Sequence, residues 1–292
     1  MRVAILGGRD GWHASRLREA FDRGGHQTRF VAWGSVEAGI VGDAERFGPE
    51  PLAAADVVAV RGMPAAAPEA NPLQQVIFRM DVLGRLEATG MPVINRPRAL
   101  EIAIDKYLTL AMLADAGLNV PRTYVVQEPA AARLALEALG GIGVSKPLFG
   151  SGGRGLLLVD DAATAAAAGG VGLVYLQEFI RHEGWDLRIL VVGDHEFAMR
   201  RVAREGEWRT NLACGGRAEP MAVDAAVVEV ARRAAGAVGA RIAGIDILPT
   251  RDGPVVLEVN AVPAWRGLQS VVDADVTDAI ATEVLRLGRR GG

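Results

Sequence analysis

The sequence predicts an α/β fold for its first part and, beyond it, strand–turn–strand units between helical segments. Three observations carry this. Short apolar runs alternate with helical segments from Val3 to Asn95. A strand–glycine loop–strand unit occupies Gly143 to Asp161, GVSKPLFGSGGRGLLLVDD. The stretch Gly244 to Trp265, GIDILPTRDGPVVLEVNAVPAW, reads as a hairpin of two apolar runs around the turn-rich segment Pro249 to Pro254.

In order, Val3 to Leu6 is a buried strand, followed by Gly7, Gly8 and a helix over Ser15 to Arg23. Leu17, Ala20 and Phe21 recur there at helical spacing, and Gly24-Gly25 stops the helix. Thr28 to Ala32 and Asp56 to Arg61 are further strands, so a parallel sheet is expected. The segment GGRDG lacks the G-x-G-x-x-G spacing, and no acidic residue ends the second strand. Both points argue against an NAD(P)-dependent oxidoreductase. Gln74 to Thr89 is a predicted helix, with a short strand over Met91 to Asn95. Arg79, Arg96 and Arg98 read as surface residues. Arg61 differs, because it follows the strand VVAV directly, and ligands of α/β sheets collect at carboxyl ends of strands.

Ala99 to Ala116 reads as one helix containing Lys106, closed by Gly117 and Pro121. Arg122 to Val126 is a strand, and Ala130 to Leu139 an alanine-rich helix. Lys146 then sits four residues before the glycine-rich turn Gly150 to Gly155. Two readings stand here: a flexible hairpin, or a loop whose backbone N–H groups approach phosphate oxygens beside a lysine. Val174 to Ile180 is an apolar strand passing through Gln177 and Glu178, the shape of a backbone hinge that reads an adenine edge. Asp186 and Arg188 share one face of the next strand, and Met199 and Arg201 one face of the strand after it. A turn follows with Arg209 and Asn211. Val223 to Val238 is an amphipathic helix with Val223, Val227, Val230, Ala234 and Val238 along one stripe, and Thr277 to Leu287 is the last helix.

In the closing hairpin, alternation sets Asp246 opposite in face to Ile245 and Ile247. In its second strand Val255, Leu257 and Val259 share the apolar face, while Glu258 and Asn260 share the other. Taken alone, this is either a half-solvated hairpin or a set of oxygen donors of the kind a hard cation prefers.

Composition narrows the function classes. Half of the 292 residues are hydrophobic and 23% charged, as in an ordinary enzyme. A formal charge of -3 gives no electrostatic reason for a nucleic-acid partner. Cys214 is the only cysteine, so no intrachain disulfide forms and a cytoplasmic location is expected. The start, MRVAILGG, is a strand meeting a glycine turn, with neither a signal-peptide pattern nor a membrane span expected. The four histidines are scattered, against a zinc site.

Six segments in order resemble an ATP-grasp carboxylate–amine ligase of the RimK type, the α-L-glutamate ligase-like group. They are DKYLT (Asp105 to Thr109), KPLFGSGGRG (Lys146 to Gly155), QEFI (Gln177 to Ile180), DLR (Asp186 to Arg188), RTNLACGG (Arg209 to Gly216), and GIDIL with EVNAVPAW. The resemblance covers the whole chain. It implies an N-terminal α/β domain over residues 1–95 and two α+β subdomains that clasp ATP, 96–180 with the glycine loop and 181–292 with the metal site. It implies ATP and Mg2+, with Mn2+ as a substitute.

Position by position, Lys106 and Lys146 resemble phosphate-contacting lysines, beside a loop offering Ser151, Gly152, Gly153 and Gly155. Gln177, Glu178, Phe179 and Ile180 correspond to the adenine hinge, and Asp186, Arg209 and Asn211 to nucleotide contacts, with Thr210 where the family motif has serine. Arg201 corresponds to an arginine near the transferred phosphoryl group, and Asp246, Glu258 and Asn260 to magnesium ligands. Pro263-Ala264 departs from a common Pro-Gly, and Cys214 reads as structural. The implied reaction activates a carboxylate as an acyl phosphate with release of ADP, stabilised by Arg201 and Lys146, and an amine then displaces phosphate. Glutamate is the implied amine, and a small carboxylate-bearing cofactor of the tetrahydromethanopterin type the implied acceptor. A protein C-terminus, or a non-catalytic nucleotide-binding regulator, are the alternatives. Arg61, Arg188, Trp265 and Arg266 are candidates for substrate binding, Trp265 by stacking on a ring and Arg266 through its planar fork to a carboxylate. No membrane partner is implied, and homo-oligomerisation is left open.

Overall fold

The structure, a computed structural model, describes residues 1–62, 72–148, 150, 152–167 and 172–289. Its first sheet is parallel, in the order Gln27–Val31, Arg2–Leu6, Val57–Val60, Val93–Ile94. VAIL and VVAV are apolar throughout because both faces of this sheet are covered. One face packs on the helix Trp12–Arg23 and, from the far end of the chain, Val276–Gly288. The other joins the helices Pro72–Ala88 and Pro97–Ile104 in a core that continues into the C-terminal part.

A second sheet is antiparallel, ordered Thr123–Val126, Val174–Glu178, Gly143–Ser145, Leu157–Val159. Pro129–Ala138 and Ala162–Ala167 cover one face through Ala132, Leu136, Ala165 and Leu176. The other face, carrying Val144 and Gln177, looks into a cleft. Across that cleft stands a third, antiparallel sheet: Arg217–Pro220, His195–Val202, Trp185–Val192, Ile242–Thr250, Gly253–Asn260. Its back carries Leu187, Ile189, Ile245, Ile247 and Val259 into the core with Ala231, Ala234 and Leu113.

Three sequence expectations change. Ala99 to Ala116 is not one helix: Pro97–Ile104 ends at Asp105, whose carboxylate accepts from the N–H groups of Tyr107 and Leu108 at 2.8 and 3.0 Å and caps Lys106–Asp115. The break puts Lys106 in the first turn, facing the cleft. The helix Ala225–Val238 buries Ala231, Ala234, Ala235 and Val238, while Val227 and Val230 sit at the edge of that contact. Small side chains let the helix approach the sheet closely, so alanines take the centre. The hairpin Glu37–Val41 with Ala44–Gly48, turning at Gly42-Asp43, was not anticipated; it forms a separate two-stranded sheet whose Ile40 is 82% exposed.

Asn95 ties the first sheet to the third. Its Oδ1 accepts from the N–H groups of Arg241 and Ile242, and its Nδ2 donates to the carbonyls of Ile242 and Ala261. Four bonds from one buried amide fix both ends of the hairpin that carries Asp246 and Glu258.

Candidate active site

The hairpin pairs Asp246 directly with Glu258, and Gly244 with Asn260. The expected alternation holds from Ile245 to Ile247 but breaks in the second strand. A bulge after Asp246 opposes Ile247 to Val256, so Val256 is buried in the core and Leu257 joins Glu258 in the cleft wall. The expected apolar face of Val255, Leu257 and Val259 is therefore corrected at Leu257.

Asp246 is held between two arginines. Arg201 reaches it at 3.1 Å, and Arg188 Nη2 donates to its Oδ2 at 2.9 Å, with Arg188 Nε against Oδ1. Arg201 is also clasped by Asp186, Nε to Oδ1 at 2.8 Å and Nη2 to Oδ2 at 2.5 Å. Asp186, Arg201 and Asp246 are all buried. Burial alone would push the Asp246 carboxyl up, but the Arg188 and Arg201 charges outweigh it and hold it below its usual range. Gly244 is part of this arrangement, because a Cβ there would lie 2.6 Å from Arg188 Nη1. Both carboxylate oxygens of Asp186 are thus committed to orienting Arg201. Arg201 in turn is not a free cation; only its Nη1 lacks a partner among the described residues.

Glu258 is the opposite case. It makes no hydrogen bond or ion pair among the described residues, and burial, then the charge of Asp246, push its carboxyl up. A half-buried carboxylate facing a buried one is unfavourable unless a cation comes between them. Asn260, whose Nδ2 makes only a long contact of 3.5 Å to the Gly244 carbonyl, offers its Oδ1 on the same side. Donors made only of oxygen suit Mg2+. No cluster of three or more His, Cys, Asp or Glu side chains is formed among the described residues. The donor set is therefore two carboxylates and an amide that leave room for phosphate oxygens. Glu258 and Asn260 are open to a cation, while Asp246 would share its oxygens with the arginines.

A cleft of about 880 Å3 runs from this hairpin to the second sheet. Lys146 donates to Gln177 Oε1 at 2.5 Å, and Gln177 Nε2 is fixed by Thr123 and Tyr175. Burial lowers the Lys146 ammonium to about 8, partly offset by Glu258 and Asp246. No carboxylate lies within ion-pair distance of Lys146 among the described residues, so its charge is open to an anionic ligand. Lys106 is also lowered by burial, and it donates to the carbonyls of Leu148 and Gly150 at 3.3 and 2.9 Å, pinning the base of the glycine loop. Ser151 lies outside the described residues. Gly152, Gly153 and Arg154 line the cleft, whereas Gly155 stands behind, against Pro147.

The loop is seated on the segment Arg209 to Cys214. Arg209, paired with Glu207 at 2.6 Å, reaches the Gly153 carbonyl at 3.5 Å, and Cys214 Sγ approaches the Gly152 carbonyl at 3.7 Å. Gly153 has φ +73°, and a Cβ there would meet Asn211 Oδ1 at 2.5 Å. Only glycine closes on Asn211 this way. These contacts are few and long, so nucleotide binding is expected to slow amide hydrogen exchange over residues 152–155. Exchange measured with and without a non-hydrolysable ATP analogue checks this, and equal protection in both states would count against a closing lid.

At the other end, Glu178 does not offer its side chain, which is bonded to the N–H and Nε of Arg122. Phe179 and Ile180 follow the strand end and use no backbone N–H or C=O in hydrogen bonds among the described residues, leaving them to an adenine edge. Leu156, Leu248, Leu257 and Trp208 supply apolar walls, and Trp208 meets Phe179 edge-to-face at 5.7 Å. The sequence reading missed these four. Leu257 had no local signal, since the bulge that turns it inward is a property of strand pairing.

A second compartment of about 770 Å3 adjoins the first. Arg201, Asp246, Asn211, Gly152 and Glu258 line both, while Arg188, Asn260, Pro263 and Ala264 belong to the second. Trp265 corrects an expectation. It is 2% exposed, its Nε1 donates to Thr277 at 3.0 Å, and His13 and Trp12 pack on its ring. No ring face remains for a substrate. Arg266 is exposed beside it, and Arg61 lies over the Trp265 ring at 4.9 Å.

Comparison with known proteins shows the family. The RimK-like ATP-grasp domain matches residues 103–284. A tetrahydromethanopterin:alpha-L-glutamate ligase of Methanosarcina acetivorans is 36% identical over 249 residues, 73% of this chain and 74% of the relative. A probable alpha-L-glutamate ligase of Sodalis glossinidius is 33% identical over 97% of this chain and 96% of its own. Among solved structures, the ATP-grasp ligase PsnB complexed with a minimal precursor superposes with TM-score 0.77 at 25% identity, covering 98% of each chain. A RimK domain ATP-grasp protein from Sphaerobacter thermophilus gives TM-score 0.74 at 26% identity, covering 98% of this chain and 100% of its own. Among the described residues no helix is long and apolar enough to cross a membrane. The glycine loop lines one cleft and the carboxylate pair is shared with a second, and the chain belongs to the RimK-like ATP-grasp family.

Proposed function

We propose that this ligase joins L-glutamate to a carboxylate of an acceptor through an acyl phosphate. The observation that carries the reading is the wall shared by the two compartments. ATP in the first cleft directs its γ-phosphate towards Asp246 and Glu258, and a carboxylate in the second approaches the same pair from the other side. The hinge at Phe179 and Ile180 places the adenine. Lys146 and the free Nη1 of Arg201 meet oxygens on which charge develops as the γ-phosphoryl group leaves ADP. Arg188 faces the acceptor side, where it orients the attacking carboxylate. A divalent cation held by Glu258 and Asn260, with Asp246, supplies charge neutralisation on the phosphates; Mg2+ is the ion proposed, with Mn2+ as a substitute. Closure of Gly152 to Gly155 excludes water from the acyl phosphate until the glutamate amine displaces phosphate.

The acceptor we favour is a small pterin-type cofactor with a carboxylate tail, supported by the likeness to the Methanosarcina ligase. The burial of Trp265 withdraws the ring-stacking argument for it. A peptide acceptor is the second reading, supported by the end-to-end likeness to PsnB complexed with a precursor. The proposed compartment is a reducing cytoplasm, consistent with the single cysteine. ATP turnover with L-glutamate, measured against a carboxylate-tailed pterin and a peptide ending in glutamate, with mass analysis of products, decides between them. ADP release that depends on an acceptor, with a product heavier by one glutamyl residue, is expected. Nucleotide binding without acceptor-dependent turnover would overturn the reading.

A further inference from the structure

We propose that Arg61, Arg266 and His13 form a carboxylate subsite where the N-terminal sheet meets the loop after Asn260, holding a carboxylate of the substrates that does not react. This rests on the ligase reading above and names residues for it. Arg61 leaves the carboxyl end of Val57–Val60, its backbone N–H donating to the Leu6 carbonyl at 2.8 Å, and its half-buried guanidinium lies over the Trp265 ring. Among the described residues no carboxylate lies within ion-pair distance of it, and burial lowers it to about 10. Asp10, in the neighbouring loop, pairs with neither arginine. Arg266 stands 6.0 Å over the Trp12 ring, likewise without a carboxylate.

His13 lies between them and is neutral. Its Nε2 accepts the backbone N–H groups of Trp265 and Arg266 at 3.1 and 3.2 Å, so that nitrogen carries no proton. Burial, then Arg61 and Arg266, lower the ring to about 4. The N–H of the ring is thereby fixed on Nδ1, as a donor. The cluster gathers two cations and one donor without a counter-charge among the described residues. A half-buried cation without an ion-pair partner among the described residues favours an anion beside it. Among the described residues Arg188 and Arg201 have theirs, and Arg61 does not.

The position gives the anion its identity. Trp265 and Arg266 follow directly on Pro263 and Ala264, which line the acceptor compartment. A carboxylate attacking phosphorus must lie at the Glu258 end, so one gripped by Arg61 belongs to another part of a substrate. Planar guanidinium forks match carboxylates bidentately. Two sources share this chemistry: L-glutamate, whose carboxylates are spectators when its amine reacts, and an acceptor bearing a second carboxylate.

The test measures KM for ATP, L-glutamate, a carboxylate-tailed pterin and a glutamate-ending peptide in wild type, Arg61→Met and Arg266→Met. Arg61→Met is expected to raise KM for the substrate it grips by roughly ten- to a hundredfold, the loss of one charged hydrogen-bonding partner, and to leave KM for ATP unchanged. A shift carried by glutamate assigns the amine substrate; a shift carried by an acceptor assigns its tail. Unchanged KM for every carboxylate, or an equal rise for ATP, overturns the subsite. Calorimetric titration of the same three carboxylates into each protein, saturated with a non-hydrolysable ATP analogue, reads binding without ligation. Arg61-dependent binding in a wild type that makes no amide would retract the ligase reading and keep the subsite. Equal binding by wild type and both variants would do the reverse. Arg266 is exposed, so Arg266→Met carries the test should Arg61→Met fail to fold.

Discussion

Glu258→Gln is expected to lower kcat for amide formation by roughly a hundredfold or more, while the thermal midpoint without ligands stays equal to wild type or rises. The activity loss follows from removing the open carboxylate that, with Asn260, would hold the cation neutralising the phosphates; a contact of this kind is worth several kcal/mol in the transition state. The stability effect has the opposite sign for a clear reason. Glu258 has no hydrogen bond or ion pair among the described residues, and burial and Asp246 raise its carboxyl above its unfolded value. A raised acid destabilises the fold increasingly as pH climbs from the unfolded value towards the folded one, and at neutral pH it imposes that cost. A neutral amide of the same shape relieves it. Mg2+ with an ATP analogue is expected to raise the midpoint of wild type and far less that of the variant. Calorimetric melting and acceptor-dependent ADP release check both arms. A folded variant with near-normal turnover would remove Glu258 from the site.

Arg201→Met is expected to act on the fold itself, costing about 3–5 kcal/mol of unfolding free energy, because it leaves buried carboxylates without their shared cation. Asp186 loses its bidentate partner, whereas Asp246 keeps Arg188. Removing the stranded charge as well should recover part of the loss, so Arg201→Met with Asp186→Leu is expected to be more stable than Arg201→Met alone. Urea unfolding of the set measures this. A loss below about 1 kcal/mol for the single variant would mean that Asp186 finds solvent or another donor. The contrast between Glu258 and Arg201 is the practical distinction at this site. One residue is strained in the free protein and eased by ligand; the other is satisfied in the free protein and strained when removed.

The sequence by itself determined the parallel first sheet, the family motifs and the placing of Asp246 and Glu258 on neighbouring strands of one hairpin. These rest on local signals: period-two alternation in GIDIL, turn residues at Arg251 to Gly253, glycines that permit close backbone approach, and an unbroken apolar VVAV that requires two covered faces. Arg61 was legible for the same reason, as a cation ending a buried parallel strand. Only the tertiary structure decided what those side chains touch. The bulge that turns Leu257 into the cleft depends on the register between two strands. The break at Asp105, which aims Lys106 at the Gly150 carbonyl, competes with a helical pattern that runs through it. Trp265 follows the site in sequence, yet it is claimed by Thr277 and, from the far end of the chain, by His13 and Trp12. Asp186 and Arg188 share a strand face, but which carboxylate each arginine takes is set by neighbouring strands. Patterning determines which face a residue occupies; the partner of a buried charge is a matter of packing, because desolvation makes each ion take whatever counter-charge the fold brings within reach.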